Sequence, residues 1–125
     1  MVISLYPLYL TFKTPQYQQI MNSFELSVIG FPFIEDWLNN NGFSNISVTK
    51  IDNYTVEIQA NGKLENILIS VKTGMYPDPC PLFTNAEKFS LKEFAATLNK
   101  VPYLAYLSID KEHKIAANIV WERLS

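Results

Sequence analysis

Ser70 and Lys72, in the stretch "ENILISVKTG" from Glu65 to Gly74, stand two positions apart and carry reactive or charged groups. In a β-strand, residues two apart share a face. Leu68, Ser70 and Lys72 then point one way, and Ile67, Ile69 and Val71 the other. The preceding stretch "YTVEIQA" alternates in the same manner. Tyr54, Val56, Ile58 and Ala60 share one face, and Thr55, Glu57 and Gln59 the other. Carboxylate and hydroxyl oxygens suit a hard cation, and an ammonium group is a point charge for an anion such as phosphate. The same residues also read as the wet face of a half-exposed sheet, where charged cross-strand pairs need no function. Cys80 and His113 are each the only residue of their kind, which argues against a Cys/His zinc site and against a His-dependent triad.

Periodicity and breaker residues define the strands and helices that hold these groups. Residues 1–13 read as an apolar strand, with Pro7 favouring an edge. Thr14-Pro15 is a helix start. The following helix is expected to weaken at Gly30 and Pro32, and "FPFIEDWLNNNGF" to form a second helical piece or the far side of a kink. Asn41-Gly42 closes it. Three strands come next, "NISVTKI", "YTVEIQA" and "NILISVK". Asn61-Gly62 is a strong signal for a tight turn between the last two, pairing Ala60 with Lys63. A wider loop centred between Lys63 and Leu64 would instead put Glu57 opposite Ser70. Both registers keep the same faces, and the wider one is expected. "TGMYPDPCPLFTN", with three prolines, reads as a loop. Leu91, Phe94, Ala95 and Leu98 mark a helix, with Ser90 and Glu93 as a capping box. "PYLAYLSI" reads as a strand buried on both faces, parallel to "NILISVK". "DKEHK" is a turn, and "IAANIVWERL" reads as a last strand. The fold class expected is α/β or α+β: one domain, residues 1–125, with a central mixed β-sheet flanked by helices.

A helix, a meander of three strands, a helix and a further strand form the core of the PD-(D/E)xK nuclease superfamily, which includes restriction endonucleases and Holliday-junction resolvases. The chain resembles that restriction endonuclease-like αβββαβ core over roughly residues 24–110, through "VEIQANGKLENILISVKTG" and "SLKEFAATLNKVPYLAYLSI". In the family an acid on the second meander strand and an acid-x-lysine on the third hold a metal ion. The resemblance implies that Glu57 fills the first position and Ser70-Val71-Lys72 the second, with serine where the acid usually stands. Some restriction enzymes of this pattern also carry serine-x-lysine and recruit a glutamate from the next helix. Glu87, fifteen positions after Lys72 and at the start of the following helix, is the implied replacement, and Glu35 on the first helical region the implied accessory acid. The resemblance thus implies a Mg²⁺ site in Glu57, Glu87 and Glu35, with Lys72 orienting water or stabilising charge on the phosphate. Pro77-Asp78 spells the family's nominal first motif but comes after the lysine, in the wrong order.

Each candidate has a plainer alternative. Thr84 to Glu87 is itself a capping box, so Glu87 need only satisfy a backbone donor. Glu35 is an ordinary solvated helix acid, and Trp37 and Trp121 are core or interface aromatics. Two functions stand ahead of a third, an unrelated α+β binding domain with no nucleic-acid role. One is a Mg²⁺-dependent endonuclease acting on DNA, with Lys72, Lys88 and Lys92 as a positive edge. The other is a catalytically lapsed member of the same fold, serving as a binding or assembly subunit. Composition frames both. The chain has 125 residues, 48% of them hydrophobic, enough to fill a core. Its net charge of −2 is not that of a protein that coats nucleic acid. No membrane span is expected. The first charge, Lys13, comes after the apolar start, unlike a secretory leader, and with one cysteine a cytoplasmic setting is the expectation. The apolar N-terminal strand and the Phe31-Pro32-Phe33 corner are candidate contacts for a homodimer.

Overall fold

In the computed structural model, which describes residues 26–124, two helices flank a sheet that grows strand by strand in chain order. Helix α1 (Leu26–Asn40) is followed by β1 (Ser44–Lys50), β2 (Thr55–Asn61) and β3 (Asn66–Met75). Helix α2 (Asn85–Leu98), β4 (Val101–Ile109) and β5 (Val120–Arg123) complete the described chain. The sheet order is β1-β2-β3-β4-β5, antiparallel except for the β3–β4 pair, which is parallel and joined through α2. The expected α+β class and mixed central sheet are thus present. The expected N-terminal strand and the Thr14-Pro15 helix start lie outside the described residues.

Period-2 alternation divides the buried side chains between two layers. Val56, Ile58, Ile67, Ile69, Val71, Ala105, Leu107 and Ile109 point to α1 and meet Phe31, Ile34 and Leu38. Leu68 and Leu104 point to the opposite face and meet Leu91 and Ala95 of α2, with Phe83. Among the described residues, fifteen buried ones form the first layer and five the second. Full burial of such an aliphatic side chain contributes about 1.5–3 kcal/mol, so among the described residues the α1 layer carries most of the apolar stabilisation. The thinner layer under α2 has room for polar groups.

Several local expectations are revised by tertiary contact. Helix α1 runs unbroken through Gly30 and Pro32. Pro32 removes the N–H that would meet the Val28 carbonyl. Burial of Phe31, Ile34 and Leu38 on one face outweighs that loss. Gly30 is a close-approach residue. A Cβ there would lie 2.8 Å from Leu107 Cδ2 and would also strike Thr73. Phe31 is almost wholly buried, while Pro32 and Phe33 are half-buried and Phe33 packs against the core. Gly42, with φ +84°, ends the helix as expected. Strand β3 extends through Gly74 and Met75, beyond the expected start of the loop, because each pairs with β4. The last strand is shorter than expected: Ile115 makes one isolated bridge to Ile109, and regular pairing begins at Val120. Trp37 and Trp121 stack with ring centres 4.7 Å apart, tying α1 to β5.

Candidate functional site

The polar face of the meander is set by register. Ala60 pairs with Ile67 and Asn61 with Asn66, so the loop is the wider one and residues 62–65 span it. The Gly62 N–H donates to the Glu65 carbonyl at 3.0 Å. A Cβ on Gly62 would lie 2.7 Å from the Phe43 ring, so this glycine packs beneath an aromatic ring and does not sit at the tip of a two-residue turn. Glu57 therefore pairs with Ser70, and Thr55 with Lys72. Glu57, Ser70 and Lys72 lie on one face, as period 2 predicts, and that face is the one under α2.

Helix α2 delivers Glu87 to the same place. Two capping boxes were written in the sequence, and the upstream one is used. The Glu87 N–H donates to Thr84 Oγ1 at 3.1 Å, and the Thr84 N–H donates to Glu87 Oε1 at 2.8 Å. Ser90, the expected cap, sits inside the helix because nothing between Asn85 and Ser90 interrupts it. Lys72 Nζ reaches both oxygens of Glu87, Oε2 at 3.0 Å and Oε1 at 3.3 Å. The Lys72 ammonium also lies 4.9 Å from the centre of the Phe83 ring. That ring meets Tyr106 edge-on, with centres 5.4 Å apart. Only 8% of Lys72 is exposed, so its charge is held between a carboxylate and an aromatic face.

Glu57, Ser70 and Glu87 line one cleft of about 400 Å³, together with Thr55, Ser90, Ile51, Phe83, Ala86, Leu91 and Phe94. The two acids differ in electrostatics. Burial raises the Glu57 pKa, and no cation among the described residues offsets it. Burial also acts to raise Glu87, but the Thr84 N–H and the Lys72 ammonium outweigh it, and the net shift is downward. Glu35 does not join them. It lies on α1, which packs on the other face of the sheet. Of the expected positive edge, Lys72 is paired with Glu87 and Lys88 lies 3.6 Å from Glu122, while Lys92 is exposed.

Among the described residues no three Asp, Glu, His or Cys gather as a metal cage. The cleft's donors are nonetheless all oxygen: the Glu57 and Glu87 carboxylates and the Ser70 hydroxyl. That set fits a hard divalent ion in kind, with water and phosphate oxygens completing its shell. Thr55 and Phe83 are site residues that the functional reading of the sequence did not single out. Thr55 shares Glu57's parity in β2, which is a usable signal. Its Oγ1 is shut off from solvent and has no hydrogen-bond partner among the described residues. Phe83 precedes the cap of α2 within an irregular segment, and nothing in its sequence context marks it. Cys80 packs at Gly74, and its thiol lies 3.4 Å from the Lys72 carbonyl. Burial raises that thiol's pKa, so it is no activated nucleophile.

Compared with known proteins, the sequence matches no family model and no curated protein. No helix among the described residues is long and apolar enough to cross a membrane.

Proposed function

We propose that the cleft between β2, β3 and α2 is the site of Mg²⁺-assisted hydrolysis of DNA phosphodiesters, in a chain built on the PD-(D/E)xK plan. The observation that carries this reading is the register that sets Glu57 opposite Ser70, with Lys72 next on the same face and Glu87 brought in by α2. Glu57 and Glu87 would hold the ion, with the Ser70 hydroxyl beside them. Bound Mg²⁺ supplies a Lewis acid for the phosphodiester and lowers the pKa of water. Lys72 would orient that water or stabilise charge developing on the phosphate. To do so its ammonium must exchange part of its bond to Glu87 for substrate. All these groups come from one chain, so the cleft does not need a second copy. The test is plasmid nicking with Mg²⁺ or Mn²⁺, comparing wild type with Lys72→Ala on duplex, branched and single-stranded DNA. Metal-dependent cutting that Lys72→Ala lowers by at least about a hundredfold is expected. Absence of cutting on every substrate overturns catalysis.

A second reading has its own support. Glu87 is already engaged by the Thr84 N–H and by Lys72, an arrangement that is structurally complete without a metal. This favours the lapsed subunit, which binds without hydrolysing. Calorimetric titration of Mg²⁺ into wild type and Glu87→Ala separates the two. Binding that is lost in the variant supports the hydrolytic site, and equal binding, or none in either, supports the lapsed one.

A further inference from the structure

We propose that this cleft is a binding site for an organic cation, a guanidinium group on a short apolar stem, with Glu57 and Ser70 holding the head and Ile51 and Phe94 flanking the stem. The proposal goes beyond the hydrolytic reading and does not rest on it. A guanidinium on Glu57 and a metal ion on Glu57 exclude each other, so the two are separable by experiment.

Two polar groups of the cleft have no partner. Glu57 makes no hydrogen bond or ion pair among the described residues, and burial alone raises its pKa. Ser70 is only 6% exposed, lines the cleft, and its hydroxyl likewise makes no hydrogen bond among the described residues. Unlike Thr55 Oγ1, that hydroxyl is not closed off from solvent. Glu57 and Ser70 pair directly across β2 and β3, which sets their side chains next to each other on one face. An unmatched carboxylate and an unmatched hydroxyl, both largely withdrawn from water, carry a desolvation cost that a ligand's N–H donors offset.

Charge fixes the sign of the ligand. Lys72 neutralises Glu87 through both carboxylate oxygens, which leaves one negative charge uncompensated, at Glu57. No lysine or arginine among the described residues lines the cleft. The walls fix the kind of cation. Ile51, from the β1–β2 connection, is 51% exposed, and Phe94, from α2, is 42% exposed, so both leave apolar surface beside the carboxylate. An ammonium is compact and strongly hydrated, and would have to shed water there. A guanidinium is more weakly hydrated and planar. Its face stacks on an aromatic ring while its edge donates two parallel bonds to a carboxylate, with further donors left for the Ser70 hydroxyl. The volume, about 400 Å³, lies at the small end of ligand clefts and suits one such group with its stem.

NMR titration in the presence of chelator tests the site apart from catalysis. The probes are butylguanidinium, butylammonium and the neutral butylurea. Butylguanidinium should bind with a Kd on the order of 1 mM or tighter and shift the amide signals of Glu57 and Ser70. Butylurea should bind at least about tenfold more weakly, and butylammonium several-fold more weakly. Glu57→Gln, which keeps the shape and removes the charge, should weaken butylguanidinium at least about tenfold. Phe94→Ala should weaken it roughly threefold while keeping the wild-type melting temperature within a few degrees. A capped Gly-Arg-Gly peptide separates the two sources of the group: tighter binding than butylguanidinium assigns a polypeptide, and weaker binding a free small molecule. Butylurea or butylammonium binding as tightly as butylguanidinium, unchanged binding by Glu57→Gln, or no binding up to about 50 mM overturns the proposal. Lys72-dependent, Mg²⁺-dependent cutting of DNA without guanidinium binding sinks this site and leaves the hydrolytic reading standing. Glu57-dependent guanidinium binding with no cutting of any DNA does the reverse.

Discussion

Two glutamates in one cleft carry opposite stability signatures. Burial holds the folded-state pKa of Glu57 above its unfolded value. The folded state then keeps its proton to higher pH than the unfolded state does. Stability falls as pH rises from the ordinary carboxylate range through the folded pKa, and at neutral pH the ionised carboxylate is a net cost. Glu87 is shifted down, so its contribution is present above the unfolded pKa and is lost as pH falls through the folded one. Glu57→Gln is expected to raise the melting temperature at pH 7, and Glu87→Gln to lower it. Both differences should shrink near pH 3, where either carboxylate is protonated in the unfolded chain. Melts of the three proteins at the two pH values check this. On the hydrolytic reading, Mg²⁺ should raise the wild-type melting temperature at pH 7 and leave that of Glu57→Gln unchanged. Alternation along β2 and β3 was enough to put Glu57, Ser70 and Lys72 on one face. It could not show that Glu87 and Lys72 bind each other, because that pair closes across fifteen residues through an irregular segment. Nor could it show that Thr55 Oγ1 has no partner among the described residues, which depends on long-range packing.

At the scale of elements, the informative cases are those in which local signals competed. Asn61-Gly62 favours a tight turn, yet the pair serves a four-residue loop because Gly62 is needed under Phe43. Gly30 and Pro32 weaken a helix in isolation, yet α1 is continuous because its buried face is long. The sequence holds both residues plainly, but the Thr73 and Leu107 side chains that require Gly30 arrive from β3 and β4. Gly30→Ala is expected to destabilise the fold by about 1–3 kcal/mol through overpacking, the reverse of the usual gain from alanine in a helix. Urea unfolding should show a lower midpoint with an unchanged slope. The choice of Thr84 over Ser90 as the cap has the same character. Both boxes were legible, and helix propagation into Asn85–Phe89 decided between them.

For the molecule as a whole, composition and periodicity led to the mixed sheet, the parallel β3–β4 pair and the separation of two layers. They did not reveal how unequal the layers are, since a half-buried strand and a fully buried one differ by what covers them. The imbalance makes a prediction. Native-state hydrogen exchange should be slowest in the centres of β3 and β4, which are covered on both faces, and faster at α2, whose buried face is only Leu91 and Ala95. If α2 amides exchange as slowly as those at Ile69 and Leu104, the cleft wall is more firmly held than its burial indicates.

The sheet's strand order matters for a chain made one residue at a time. Strands β1, β2 and β3 can pair as soon as they leave the ribosome, and α1 can already cover one side of them. Strand β3 would then present a free edge from Ile67 to Met75, with Leu68 bare on its uncovered face, until β4 has been synthesised. Such an edge is a template for any extended chain nearby. The half-made protein is therefore most exposed to wrong pairing while residues 76–109 are still being added. A nascent chain stalled before Val101 should need chaperone protection that the finished molecule does not.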